Sequence, residues 1–334
     1  MNYYDQIKVL QIMKKITVIT SLSLMLCLTM NAQPGNDLSA KPSQAQAKQM
    51  TTLTQFTNTA DPVYIHDVVY RHASDMDLHL QVIMPQMAFG KKWPTVVYIQ
   101  GSAWYKQDCY SGVPKLMRFA QRGYTVVSVE YRPSTTASYP AQIQDVKSAV
   151  RYVRDNAARL GVDTTNIFIW GDSSGGNMSL LETLTQDQPQ LDTEDYGKTS
   201  IKVNACVAYY PVTDILALKK YPSNWDHESG NSPEGTLFGH VKVSENADKI
   251  QTASPVIYLD KKKALKTAPI LIMTGNCDRV LPFEQSVEMA DKLEELGYRY
   301  KFYKIEGGDH GSWQFWTPEA FTIVDNFLRA NMKR

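Results

Sequence analysis

Between Leu78 and Val82 apolar and polar residues alternate, with Leu78, Leu80 and Val82 separated by His79 and Gln81. A period of two predicts a half-buried strand over residues 78–85, and a second extended segment at 63–71 supplies its antiparallel hairpin partner. Beyond Pro85 the pattern changes to short, unbroken apolar runs at 95–99, 125–129, 167–170, 203–209, 270–274 and 300–305. Such runs predict strands covered on both faces, as in a parallel sheet.

Helical periods lie between these runs. From Pro140 onward Ile143, Val146, Val150, Val153, Ala157 and Leu160 recur at spacings of three and four, Lys147, Arg151, Arg154 and Arg159 fall elsewhere, and Gly161 ends the helix. Residues 282–296 place Val287, Ala290 and Leu293 inward, with Gly297 as stop. Thr317-Pro318-Glu319 reads as cap and first turn for Phe321, Val324, Phe327 and Leu328. Strands alternating with helices predict an α/β fold: a mostly parallel central sheet with an antiparallel N-terminal hairpin and helices on both faces. The alternation lapses at 211–255, where one helix start stands out at Ser232-Pro233-Glu234, so this stretch is expected to be a small insertion over the sheet within a single domain of residues 63–334.

The first 62 residues follow other rules. Met13, Lys14 and Lys15 precede an apolar stretch of 15 residues at 16–30, and Ala32 stands before Gln33-Pro34-Gly35. This predicts a cleavable export signal with cleavage after Ala32, residues 1–12 being an over-called start, and hence a secreted or periplasmic protein. The run falls short of the ~20 residues that span a bilayer, so a membrane anchor is the weaker alternative, as is lipidation at Cys27, where the preceding Leu26 is bulky. Residues 33–62 are rich in Gln, Ser, Thr, Ala and Lys and are expected to be a flexible lead-in.

Charge and cysteine narrow the function classes. The net charge is +1, and loss of residues 1–32 with Lys8, Lys14, Lys15 and Asp5 leaves 32 basic against 33 acidic residues. Nothing here attracts nucleic acid. Cys109, Cys206 and Cys277 remain, too few for a disulfide framework; Cys206 is expected to be buried, and a Cys109–Cys277 bond stays open.

Chemistry enters at Gly171-Asp172-Ser173-Ser174-Gly175-Gly176, which follows the run 167–170 and opens a helix-compatible stretch. A serine between two glycines at a strand-to-helix turn is the nucleophile elbow, which points its hydroxyl out of a strained turn. A serine hydroxyl needs a base, and in sheets with this elbow the acid and then the histidine follow in chain order. His66, His72 and His79 precede Ser173, and His227 and His240 precede any strand that could carry the acid, leaving His310 in the loop 306–311. Asp278 follows the run 270–274 and is the candidate acid, holding His310 in the right tautomer. Asp309 and Glu306 are rival acids, and Asp278 as a plain helix cap before Pro282 is the bland alternative. The loop 100–104 after the first buried run is small-residued, so the backbone N–H groups of Ser102, Ala103 and Ser174 are the expected oxyanion donors. Trp104, Tyr105 and Trp313 are candidate substrate contacts, while Phe315 and Trp316 serve equally well as anchors of the last helix. No metal or cofactor is implied. His310 must be neutral to accept a proton, so activity is expected to fall on the acid side.

These features together resemble the bacterial esterase and lipase branch of the α/β-hydrolases, particularly the group that includes acetyl xylan and feruloyl esterases. The resemblance spans residues 63–334 and rests on Glu130-Tyr131-Arg132, the elbow 171–176, Ser232-Pro233-Glu234, Ala253-Ser254-Pro255, Asp278 with Pro282-Phe283-Glu284-Gln285-Ser286, and Gly308-Asp309-His310-Gly311. It implies an α/β-hydrolase fold and a secreted carboxylic ester hydrolase acting on acetyl or feruloyl esters of plant-type polysaccharides or oligosaccharides. The chain departs from the group at its oxyanion loop, where His-Gly-Gly is replaced by Gln100, Gly101 and Ser102. The alternatives are a serine peptidase of the prolyl oligopeptidase type, for which no propeller-like domain is visible, and a non-catalytic binding protein on the same fold. The oligomeric state is not legible.

Overall fold

Eight strands form one sheet in the order β1-β2-β4-β3-β5-β6-β7-β8, in a computed structural model that describes residues 61–85, 90–193, 195–197 and 199–333. The export signal, the over-called start, cleavage after Ala32, lipidation at Cys27 and nearly all of the lead-in lie outside the described residues. β1 (Val63–Ala73) and β2 (Met76–Met84) make the antiparallel hairpin, and β2 pairs antiparallel with β4 (Thr125–Val129). β3 (Trp93–Ile99), β4, β5 (Val162–Asp172), β6 (Cys206–Tyr209), β7 (Ile270–Gly275) and β8 (Tyr300–Ile305) run parallel.

The unbroken apolar runs have the expected cause. Along β3 and β5, Val97, Ile99, Ile167 and Ile169 enter the core on one face, while Val96, Tyr98, Phe168 and Trp170 enter it on the other. α2 (Ala141–Asp155), α3 (Ser174–Leu184) and α6 (Phe283–Leu296) cover the first face through Ile143, Val146, Leu181 and Leu293; α1 (Val113–Ala120) and α7 (Pro318–Ala330) cover the second through Leu116, Phe119, Phe321 and Val324. Both edges are half-exposed, and the outermost strands are guarded differently: two register shifts break β1, and Lys301 and Lys304 face solvent on β8.

Three local expectations need correction. The long helix ends at Asp155, not at Leu160, because the Asn156 side-chain amide donates to the Tyr152 carbonyl at 2.9 Å and residues 156–160 continue only as turns before Gly161. Two of its basic residues are also buried: Lys147 is fully covered and donates to the Thr185 carbonyl at 2.8 Å, and Arg151 grips Asp192 at 2.6 and 2.7 Å, while Arg159 is exposed. Finally, α1 is a helix beyond those expected, although Pro114 in its first turn and apolar residues at 113, 116, 119 and 120 mark it.

Residues 211–258 contain only short turns of helix, among them α4 (Pro233–Leu237) and α5 (Ala247–Ile250). The start expected at Ser232 is present, its hydroxyl accepting the Gly235 N–H at 3.0 Å. No helix among the described residues is long and apolar enough to cross a membrane. Cys109, Cys206 and Cys277 are free, so the Cys109–Cys277 bond is not made; burial pushes the Cys109 thiol up to about 12.

Trp170 is the centre of the second core, with Phe119, Tyr209, Trp316 and Tyr98 ring centroids 5.1, 5.2, 5.7 and 5.8 Å away. Trp170→Ala is expected to cost about 3–5 kcal/mol of stability through the cavity it leaves. Urea unfolding measures this, and a loss below about 1 kcal/mol would mean that the aromatic cluster closes over the gap.

Candidate active site

The strand order reverses at β3: β4 lies on one side of it and β5 on the other. The carboxyl ends of β3 and β5 therefore flank the crevice in which sheets of this kind hold their ligands. The loop 100–107 leaves β3 there, and β5 ends in the turn that carries Ser173.

That turn is built by steric exclusion. Ser173 has φ 55° and ψ −124°, a conformation that an L-residue adopts only under constraint. A Cβ on Gly171 would sit 2.1 Å from the Gly175 carbonyl oxygen, and one on Gly175 would sit 1.9 Å from that of Ile99. Only glycine lets strand, helix and neighbouring strand approach so closely, and the serine hydroxyl is left facing outward at the N-terminus of α3, where negative charge is favoured.

His310 reaches this hydroxyl from the loop after β8. Ser173 Oγ donates to His310 Nε2 at 2.9 Å, and His310 Nδ1 donates to Asp278 Oδ2 at 2.8 Å. Asp278 lies in the loop after β7 with its side chain fully buried, and its other oxygen accepts the N–H groups of Val280 and Leu281 at 2.9 and 2.8 Å. The carboxylate thus fixes the tautomer that leaves Nε2 free to accept the serine proton. The rival carboxylates are engaged elsewhere: Asp309 with the Arg279 guanidinium and the His310 backbone N–H, and Glu306 with Lys304 and Asn276.

The oxyanion loop is placed differently from the expectation in one respect. Ser102 donates its N–H to Ser174 Oγ at 2.9 Å, so this group is already satisfied and is not a free donor. The cause is the serine after the elbow residue, whose hydroxyl turns back onto the loop, with Tyr131 OH within 3.3 Å of it and 2.9 Å of Ser102 Oγ. Ala103 and Ser174 remain: among the described residues their N–H groups donate to no protein acceptor. Ala103 and Trp104 both have positive φ, at 53° and 60°, which turns this loop sharply beside the elbow. The motif Glu130-Tyr131-Arg132 acquires a structural meaning here, since Tyr131 ties the loop to α3 and Arg132 binds the buried Asp145 at 2.8 Å.

A cavity of about 300 Å³ opens above Ser173, lined among others by Trp104, Tyr105, Tyr210, Trp225 and Leu281. Trp313 does not line it. The ring is 74% exposed, because its 3-10 turn is anchored instead by Phe315, packed on Tyr210, and by Trp316, stacked on Trp170. Trp225 and Tyr210 are lining residues that sequence pattern does not single out. Tyr210 packs edge-on against the His310 ring at 4.7 Å and donates to Asp172 Oδ2 at 3.2 Å, while Asp172 Oδ1 accepts from Tyr98 and the Gly101 N–H. Asp172 thereby joins the elbow to the oxyanion loop. Its place inside the Gly-x-Ser-x-Gly motif is the one available pointer to that part. Among the described residues no group of three or more His, Cys, Asp or Glu is placed to hold a metal ion.

Comparison with known proteins places these features in a family. The BD-FAE family model matches residues 80–293, a span that includes Ser173 and Asp278. Esterase LipC of Mycobacterium tuberculosis (strain ATCC 25618 / H37Rv) is 27% identical over 231 residues, 66% of this chain and 53% of its own. The chain spans about half the length of the curated relatives it matches. A solved truncated form of a carbohydrate esterase from gut microbiota superposes with a TM-score of 0.70 at 27% identity, covering 82% of this chain and 98% of that one. A bifunctional GH43-CE of Bacteroides eggerthii gives 0.71 at 26%, over 82% of this chain and 38% of that one. An eight-stranded, mostly parallel sheet with an N-terminal hairpin, shared with solved esterases, and a family match over most of its length make this chain an α/β-hydrolase of the BD-FAE family.

Proposed function

We propose that the protein is a carboxylic ester hydrolase that works through an acyl-enzyme on Ser173, with His310 as base and Asp278 as its orienting acid. The observation that carries this reading is the continuous hydrogen-bonded chain from Ser173 Oγ through His310 to Asp278 at the floor of an open cavity. The names of the relatives, esterases and carbohydrate esterases, support the same reading.

Ser173 Oγ attacks the ester carbonyl carbon as His310 Nε2 takes its proton. The oxyanion that forms faces the N–H groups of Ala103 and Ser174, each such bond contributing about 3 kcal/mol in the transition state. Collapse expels the alcohol, which leaves with the proton from His310. Water then repeats the sequence on the acyl group and restores the serine.

The substrate class is the finer part of the proposal: acetyl or feruloyl esters of plant-type polysaccharides or oligosaccharides, met outside the cytoplasm after export. A cavity of this size suits a short acyl group, and the half-exposed Trp225 offers a flat face on which a sugar ring stacks. Turnover should be compared for an acetylated xylo-oligosaccharide, a feruloyl ester, a butyrate ester and a dipeptide amide. Preference for the amide, or failure of a fluorophosphonate to label Ser173, would overturn the assignment. Trp225→Ala is expected to raise KM for the sugar ester about 2- to 10-fold, the loss of one aromatic contact, while leaving KM for butyrate nearly unchanged. Mass spectrometry of the protein from cells tests export: a mature chain beginning at Gln33 is expected.

A further inference from the structure

Within that functional reading, we propose that His227, held by Glu234, is a positioning residue that orients Asp278 through the peptide between Val280 and Leu281. Asp278 Oδ1 accepts the Leu281 N–H at 2.8 Å, and this N–H shares one rigid plane with the Val280 carbonyl, which points the opposite way. That carbonyl oxygen accepts from His227 Nε2 at 3.0 Å and from Ser223 Oγ at 2.7 Å. The peptide that steers the carboxylate is therefore pinned at its far end by the insertion. Without His227 the Val280 carbonyl keeps only the Ser223 hydroxyl, which itself lies 3.1 Å from His227 Nε2 and loses that neighbour, so the plane that sets the Asp278 angle is held less firmly.

The surroundings of the histidine suit this role. Its Nδ1 lies 3.0 Å from Glu234 Oε1, and the two side chains are 4% and 2% exposed. With a carbonyl on one nitrogen and a carboxylate on the other, both nitrogens are placed to donate, which is the bonding of an imidazolium. Burial alone would push the His227 pKa down, but the hydrogen bond and charge of Glu234, with the Val280 carbonyl and Asp226, outweigh it and hold the pKa above the ordinary histidine value. Glu234 Oε2 is buried without a partner, so no second donor competes for that carboxylate. On the facing loop the charged groups are Asp278, bound to His310, and Arg279, bound to Asp309.

A group whose folded-state pKa is raised contributes fully below its unfolded value and loses that contribution as the pH rises through the folded one. Loss of the His227 proton should thus loosen the Asp278 loop on the alkaline side, giving turnover a falling alkaline limb. The Asn224 N–H still donates to the Arg279 carbonyl at 2.8 Å, so the insertion keeps its place when the His227 side chain is changed.

The test measures kcat and KM for a butyrate ester from pH 5 to 10, and the downfield proton resonance of the His310 Nδ1–H, in native protein and three variants. His227→Ala is expected to lower kcat about 10²-fold, the cost of a small misplacement, with KM little changed and the downfield resonance lost. In His227→Gln the amide nitrogen takes the place of Nε2, which should recover most of kcat and abolish the alkaline limb. Glu234→Gln should move that limb to lower pH. Native kcat with an unchanged resonance in His227→Ala, or a native alkaline limb in His227→Gln, would overturn the proposal. Absence of ester turnover in the native protein would instead refute the hydrolase reading, and the resonance would still report whether His227 sets the Asp278–His310 bond.

Discussion

Ser173→Ala and His310→Ala are each expected to lower kcat/KM for a short-chain ester by about 10⁶-fold, and the double variant by no more than either alone. The reason is that the two side chains perform one act. A serine hydroxyl at neutral pH carries almost no anionic character, and the 2.9 Å bond to His310 Nε2 is its route for losing a proton. Removing the nucleophile leaves the imidazole nothing to activate, and removing the imidazole leaves the hydroxyl inert. What survives in both cases is the contribution of cavity and oxyanion donors to a slow attack by water. Single and double variants, assayed with the same ester and shown by thermal unfolding to keep native stability, measure the coupling. Two losses that multiplied in the double variant would mean that the residues act independently.

How much of this was legible follows from what kind of information each residue carries. The sheet was readable because buried strands must be continuously apolar, and the elbow because close backbone approach at Gly171 and Gly175 admits no other residue. Chain order then selected Asp278 and His310, and the fold brings those two, with Ser173, into hydrogen-bond distance. What failed depended on direction. Trp313 and Phe315 are both aromatic and two residues apart, yet one ring faces solvent and the other the core, because both lie in one 3-10 turn whose orientation sequence spacing alone does not set. Ser102 lost its expected role to a hydroxyl one residue beyond the elbow, a side-chain contact across 72 positions. Lys147 and Arg151 lie off the apolar spacing, and their burial is not legible because their partners, the Thr185 carbonyl and Asp192, come from a segment far along the chain. Trp225 and His227 belong to residues 211–258, whose short helical turns carry no periodicity that marks which side chains face inward.

Asp278→Asn is expected to lower kcat about 10⁴-fold, whereas Asp309→Asn is expected to cost less than about tenfold, the scale of a surface ion pair. The contrast matters because both carboxylates lie beside His310 and both are candidate acids by sequence. In Asp278→Asn the amide oxygen still accepts the Val280 and Leu281 N–H groups, so the side chain keeps its place, and its NH₂ then faces His310 Nδ1. That forces the proton onto Nε2, where it points at Ser173 and cannot accept from it. Geometry survives while the tautomer is wrong. Asp309 instead shapes the loop around the histidine. The Arg279 guanidinium holds its carboxyl down at about 2, and Oδ1 accepts the backbone N–H groups of Arg279 and His310 at 3.0 and 2.8 Å, never the imidazole. An asparagine there keeps both backbone bonds and gives up only a charge pair whose arginine is 72% exposed. Steady-state kinetics on the two variants separates an acid that sets a tautomer from one that holds a backbone, and a loss in Asp309→Asn as large as that in Asp278→Asn would overturn the distinction.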